Sequence, residues 1–183
     1  MTVRDILVYP QHKVELRRKS LPVATMNKSV KRLIRDLKDT LKTHPEGIGL
    51  AAPQINIHQR VVIVRFRIGN EEMMQYSHPI ALINPVILEA HDERRDYDGC
   101  LSFPGIYGKT VRPHYLRVSG LDEAGKSIDR VFQGFDAVTV HHEIDHLEGI
   151  LFIDHIESIR DLYRIVEKGN SELVRIPVEF EVR

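Results

Sequence analysis

Residues 141–146 read His-His-Glu-Ile-Asp-His, and within them His142, Glu143 and His146 form the pattern H-E-x-x-H. On a helix, residues four apart lie on one face, so both imidazoles point the same way. Apolar Val138, Val140, Ile144 and Leu147 surround the pattern, which predicts that part of this helix is buried. Two imidazoles and an adjacent carboxylate are the parts of a hydrolytic metal site, two ligands and a general base. Such a site needs a third protein ligand and an open position. That requirement constrains the whole fold, because the third ligand must be brought in from elsewhere. Downstream stand Glu148, Asp154, His155 and Glu157, of which Asp154 or His155 could serve. Upstream stands Cys100, the only cysteine, between Gly99 and Leu101 in a loop-like stretch. A lone cysteine is ordinarily a small buried hydrophobe, yet thiolate plus two imidazoles suits a borderline divalent ion. Spacing alone leaves the choice open.

Gly134 and Asp136 introduce this helical pattern, and Gly149 is placed to end it after Glu148. An earlier helix is predicted over 27–43, where Val30, Leu33, Ile34, Leu37 and Leu41 share a face opposite Lys31, Arg32, Arg35, Asp36 and Lys38. Asn27 or Ser29 can cap its start, and Pro45 and Gly47 stop it. The stretch HPEGIGLAAPQ (44–54) carries almost no charge, which predicts a loop pressed against the protein. Strands are predicted at 61–66, at 81–88 with Pro85 marking an edge, and at 115–121 and 127–133 around a hairpin turn. A third helix over 157–168 and an extended tail over 173–182 complete the reading. Helices mixed with hairpin-linked strands indicate an α+β fold, in a single domain spanning 1–183.

Lys plus Arg equals Asp plus Glu at 26 each, so no dominant basic field predicts direct nucleic-acid binding, although a local patch stays open. The N-terminal stretch has neither the apolar core of a signal peptide nor the acid-free, Ser-rich character of a transit peptide. No apolar run approaches the ~20 residues of a membrane span. With one cysteine, these features favour a reducing, cytoplasmic setting and no membrane association.

Three segments in order, GIGLAAPQ (47–54), DGCLS (98–102) and HEIDH (142–146), resemble the three motifs of the peptide deformylase family, at that family's spacing. The resemblance covers nearly the whole chain. It implies antiparallel or mixed sheets packed around a central H-E-x-x-H helix, with an N-terminal amphipathic helix and a C-terminal helix plus extended tail. It implies a metal-dependent hydrolase that removes the formyl group from the N-formylmethionine of nascent polypeptides and releases formate. One divalent ion is implied, Fe²⁺ physiologically, with Zn²⁺, Ni²⁺ or Co²⁺ able to replace it. Carried across residue by residue, Cys100, His142 and His146 become the metal ligands and Glu143 the acid/base. Gln54 (side-chain amide) and Leu101 (backbone N–H) become oxyanion donors, Gly49 a partner for the substrate backbone, and Gly99 the residue that permits close approach. Ile48, Phe135, Val138 and Thr139 are expected to wall the methionine pocket. The implied partners are N-formylmethionyl nascent peptides and, in some relatives, a transient ribosome contact through the C-terminal region, where 157–168 is charged.

Two positions depart from the family pattern. Asp98 stands where Glu is usual, one carbon longer; the charge is kept, Arg112 is the expected partner, and the shorter reach could loosen the cysteine loop. His141 stands where Gln is usual, and is expected beside the site, not in it. An endopeptidase of the zincin type is disfavoured by the upstream cysteine, and an inactive fold with a structural metal by the intact Glu143.

Overall fold

The computed structural model describes residues 2–69, 75–168 and 172–178. In chain order its elements are helices α1 (Lys13–Leu16) and α2 (Lys28–Lys42), strands β1 (Gly49–Ala51), β2 (Val61–Val64), β3 (Arg67–Ile68), β4 (Gln75–Tyr76), β5 (Ile80–Gly99), β6 (Ile106–Leu121) and β7 (Ser127–Gln133), helix α3 (Phe135–Glu148), and strands β8 (Leu162–Lys168) and β9 (Glu172–Pro177). The main sheet runs β1-β2-β5-β6-β8-β9, with β7 also paired to β6, and β3 pairs with β4 separately. Every pairing of named strands is antiparallel.

β2 is apolar at all four positions because both its faces are covered. Val61 and Ile63 join Leu33, Ile34 and Leu37 of α2 in one core. Val62 and Val64 point the other way and join Ala137, Val140, Ile144 and Leu147 of α3 in a second. The H-E-x-x-H helix is thus fully backed by sheet. A third cluster gathers Tyr9, Leu16, Phe103, Ile106, Phe152 and Leu162, with Cys100 packed against it.

All five apolar positions predicted for α2 are buried. Asn27, not Ser29, caps the helix, its Oδ1 accepting from the backbone N–H groups of Ser29 (2.9 Å) and Val30 (3.0 Å). Gly149 ends α3 at φ +73°, where an added Cβ would lie 2.2 Å from the Arg17 carbonyl oxygen. Asp122 shapes the β6–β7 turn by accepting from the N–H groups of Ala124 and Lys126.

Two local expectations fail. Residues 157–168 hold no α-helix: Ile159–Asp161 is a single 3₁₀ turn, and β8 follows as a strand between β6 and β9. Leu162, Ile165 and Val166 fit a helical spacing, but β6 offers a pairing edge at Ile106–Gly108 and Tyr107 stacks on Tyr163 with centroids 6.1 Å apart. Tertiary pairing decides such β-branched, aromatic stretches. Nor is the Pro85 strand at an edge, since β5 lies between β2 and β6. Pro85 falls instead at a register shift between Ile83 and Val86, beside Asn84 at φ +49°, so its missing N–H breaks no ladder. Of the predicted tail, β9 is extended and residues 179–182 lie outside the described residues. Among the described residues no helix is long and apolar enough to cross a membrane.

Candidate metal centre

One face of α3 carries positions 135, 138, 139, 142, 143 and 146, and β5 ends beside it at Gly99. Cys100 Sγ and one nitrogen from each of His142 and His146 lie within 4.8 Å of one another. The Sγ–Nε2 separation to His146 is 3.3 Å. The downstream candidates are engaged elsewhere. Asp154 pairs with Arg17 and accepts from the Leu151 N–H, while His155 Nε2 lies 2.8 Å from Asp145. Glu148 pairs with Lys19 and Arg60, and Glu157 with Arg95. Geometry therefore joins the cysteine loop, not the segment after α3, to the histidine pair.

Asp98 organises what lies behind the ligands. Its Oδ1 faces His142 Nδ1 at 2.8 Å, while Oδ2 accepts from Arg112 Nε (2.7 Å) and Thr110 Oγ1 (3.1 Å). Oδ1 also accepts from the Gly99 N–H at 2.8 Å. Asp98 thus reaches helix, strand and loop at once. Arg112 is 1% exposed and extends the network through Nη1 to Asp145 (2.6 Å) and His141 Nδ1 (2.7 Å). Because guanidinium only donates, His141 accepts there and stays beside the site. Asp145 was not singled out in the sequence. Its signal was the need for a second carboxylate around a buried arginine, visible only once β6 and α3 are adjacent.

Burial opposes charge at Asp98, yet His142 and Arg112 hold its carboxyl well below the usual range. Burial likewise opposes charge on His142, but Asp98 raises it well above an ordinary imidazole. At His146 burial dominates and lowers the pKa to about 3, which favours the neutral ring with one nitrogen free to act as a ligand. The cluster therefore favours positive charge at His142, beside Asp98, while His146 is held as a neutral imidazole. His146 Nδ1 and Glu143 Oε2 are buried without a hydrogen-bond partner among the described residues. A thiolate and two imidazoles, one oriented by a carboxylate through its far nitrogen, fit a divalent ion of the zinc or iron kind.

Glu143 is buried, and burial raises its carboxyl to about 7, the range of a working proton acceptor. Gly49 lies directly against it, since a Cβ there would sit 2.2 Å from Glu143 Oε1. Among the described residues β1 is the terminal strand of the sheet, paired only to β2. Gln54 is 1% exposed, with its amide orientation set by the Ala51 N–H donating to Oε1 at 2.8 Å. Its Nε2 then faces Ser102 Oγ (3.2 Å) and Cys100 Sγ (3.5 Å). Leu101 packs its side chain on the α2 core, and the Phe103 N–H closes the turn onto the Cys100 carbonyl at 2.8 Å. Gly99 is exposed, and a Cβ there would meet the Tyr107 ring at 2.9 Å. Of the expected pocket residues, Val138 and Thr139 are buried on the ligand face of α3, and Ile48 is half-buried just before β1. The half-buried Phe135 carries the Arg67 guanidinium 4.6 Å above its ring.

Known proteins resemble this chain over most of its length. The model of the family described as polypeptide deformylase matches residues 3–161. A peptide deformylase of Cellvibrio japonicus is 40% identical over 161 residues, 87% of this chain and 90% of that protein. The crystal structure of a peptide deformylase from Legionella pneumophila superposes with a TM-score of 0.75 at 35% identity, covering 86% of this chain and 88% of that one. The crystal structure of the Ehrlichia chaffeensis peptide deformylase in complex with actinonin gives a TM-score of 0.78 at 31% identity, covering 88% and 92%.

Proposed function

The chain belongs to the polypeptide deformylase family, and from that premise we propose how its own residues carry out the family's reaction. It is a metal-dependent hydrolase that removes the N-formyl group from the formylmethionine of newly made polypeptides and releases formate. The observation that carries the assignment is the convergence of Cys100, His142 and His146 within 4.8 Å.

In this reading Cys100, His142 and His146 hold one divalent ion, Fe²⁺ in the cell. When bound, that ion supplies Lewis acidity and lowers the pKa of water in the site. Glu143 takes the proton from the attacking water and returns it to the departing amine, so one carboxyl serves both halves of the reaction. Gln54 Nε2 and the Leu101 N–H donate to the formyl oxygen as it gains negative charge. The Ala51 N–H, by fixing the Gln54 oxygen, keeps the donating end of the amide turned toward the cysteine. The free edge of β1 at Gly49 pairs with the substrate backbone as an added strand. Ile48, Phe135, Val138 and Thr139 receive the methionine side chain, and Gly99 lets the substrate approach the loop. The catalytic unit is one domain over 1–183, working in a reducing, cytoplasmic setting that protects the Cys100 thiolate.

Formate release from a formyl-Met peptide, measured with Fe²⁺- or Ni²⁺-loaded protein, tests the assignment. Glu143→Gln is expected to keep its metal and lose about 10²–10⁴-fold in turnover. No release by folded, fully metallated wild-type protein would overturn the function, and full turnover by Glu143→Gln would overturn the role of Glu143.

A further inference from the structure

Helix α2 carries six cations against two carboxylates, although the charges of the whole chain balance. Lys28, Lys31, Arg32, Arg35 and Lys38 line a groove of about 440 Å³, with Glu123 from the β6–β7 turn as its one acid. The nearby acids have other partners. Asp36 is buried and bound by Arg4 at 2.7 Å, Asp39 accepts from the Thr2 N–H at 2.9 Å, and Glu123 pairs with Lys38. Among the described residues no carboxylate pairs with Lys28, Lys31, Arg32 or Arg35, and all four are exposed. Lys28 and Arg32, and Lys31 and Arg35, are like-charge neighbours at i,i+4, whose mutual repulsion an anion in the groove would relieve; on their other side Arg32 and Arg35 line a second groove with Asp36 and Asp39.

We propose that this groove binds the phosphodiester backbone of a nucleic-acid strand laid along α2. From Lys28 to Lys38 the cations extend over about 15 Å of helix. A single phosphate would touch only part of that array. A strand carrying one charge per roughly 3.4 Å of axis meets the array along its length. No aromatic ring lines the groove, so base stacking adds nothing and recognition is by backbone charge, independent of sequence. The balanced overall composition conceals this patch because the compensating acids lie elsewhere on the molecule. RNA is the source favoured here, a choice that rests on the proposed action on newly made polypeptides; the groove itself does not depend on that reading.

The full-length, metal-loaded protein would be titrated into fluorescein-labelled, mixed-sequence single-stranded RNA and followed by anisotropy. Four phosphate contacts predict that log K falls against log salt with a slope of about −3, or roughly 50-fold weaker binding from about 50 to about 200 mM salt. Combining Lys31→Gln with Arg35→Gln should halve the slope to about −1.4, or roughly 7-fold over the same range. Turnover of a free formyl-Met peptide and the melting temperature should stay near wild type in that variant. Should it fold poorly, Lys28→Gln with Arg32→Gln makes the same test. Comparable binding of the matching DNA also supports backbone recognition. Three outcomes overturn the proposal: no binding at low salt by folded protein, a slope untouched by the substitutions, or competition by polyglutamate as strong as by unlabelled RNA. The last would reassign the groove to an acidic protein. RNA binding is read without any formyl substrate, so its failure and failure of the deformylase reading are separable.

Discussion

Adding a single methyl group at residue 49 would place a carbon 2.2 Å from Glu143 Oε1, so either the carboxylate or the strand must move. Misplacing a reacting group by about 1 Å can cost on the order of 10²-fold in rate. Gly49→Ala is therefore expected to lose about that factor in kcat/KM while keeping its metal and its melting temperature. Metal analysis and calorimetry beside the kinetics separate this from a folding defect, and unimpaired kcat/KM would refute the contact. Gln54 acts differently. Gln54→Ala leaves Glu143 and the histidines alone but removes a donor, together with its 3.5 Å contact to Cys100 Sγ, so kcat should fall by about 10²–10³-fold with little change in KM and, by metal analysis, none in metal content. A change confined to KM would place Gln54 in substrate binding, not in charge stabilisation.

Among the elements, α2 is the one whose stability can be adjusted without touching the site. Loss of the Asn27 cap in Asn27→Ala should cost about 1 kcal/mol, seen as a lower urea midpoint with unchanged kcat/KM. Altered kinetics would mean that α2 transmits strain to the cysteine loop. Both α2 and α3 are legible in the sequence because each carries its own signal: a stripe at helical spacing, Asn27 before one, Gly149 after the other. β8 is not legible, because Leu162, Ile165 and Val166 satisfy either period and the decision is made by Ile106–Gly108 of β6. Pro85 misleads for a related reason, since a bulge removes the penalty that normally sends proline to an edge. In the site, H-E-x-x-H is a local pattern and can be read directly. The support behind it cannot, because Arg112 joins Asp98 and Asp145 across 14 and 33 positions, and no periodicity connects those residues.

At the scale of the whole molecule, the two carboxylates around Arg112 tie acid stability to the fold of the site. Asp98 and Asp145 are both held below the ordinary value of 3.8, against the cost of burial, by the histidines and Arg112 around them. A carboxyl whose folded-state pKa is depressed stabilises the fold fully above its unfolded value and loses that contribution as pH falls through the folded one. The share of stability that these two carboxylates supply, read as the difference in urea midpoint between the metal-free wild type and Asp145→Asn, should therefore be constant near neutrality and shrink progressively below about pH 4. A difference that does not change with pH would show that the network does not carry acid stability. β1, three residues long, ends the sheet among the described residues, with its Ala51 N–H held by Gln54 and Gly49 left toward the site, and it sets a further condition at this scale. It spans only about 10 Å and has hydrogen bonds to offer only to a chain that is still extended. A polypeptide whose first residues have already wound into a helix has spent its own donors and acceptors internally. On the strand pairing proposed at Gly49, removal of the formyl group is a race against the folding of the product's first turn, and chains that begin with strong helix formers should be the ones that most often keep it.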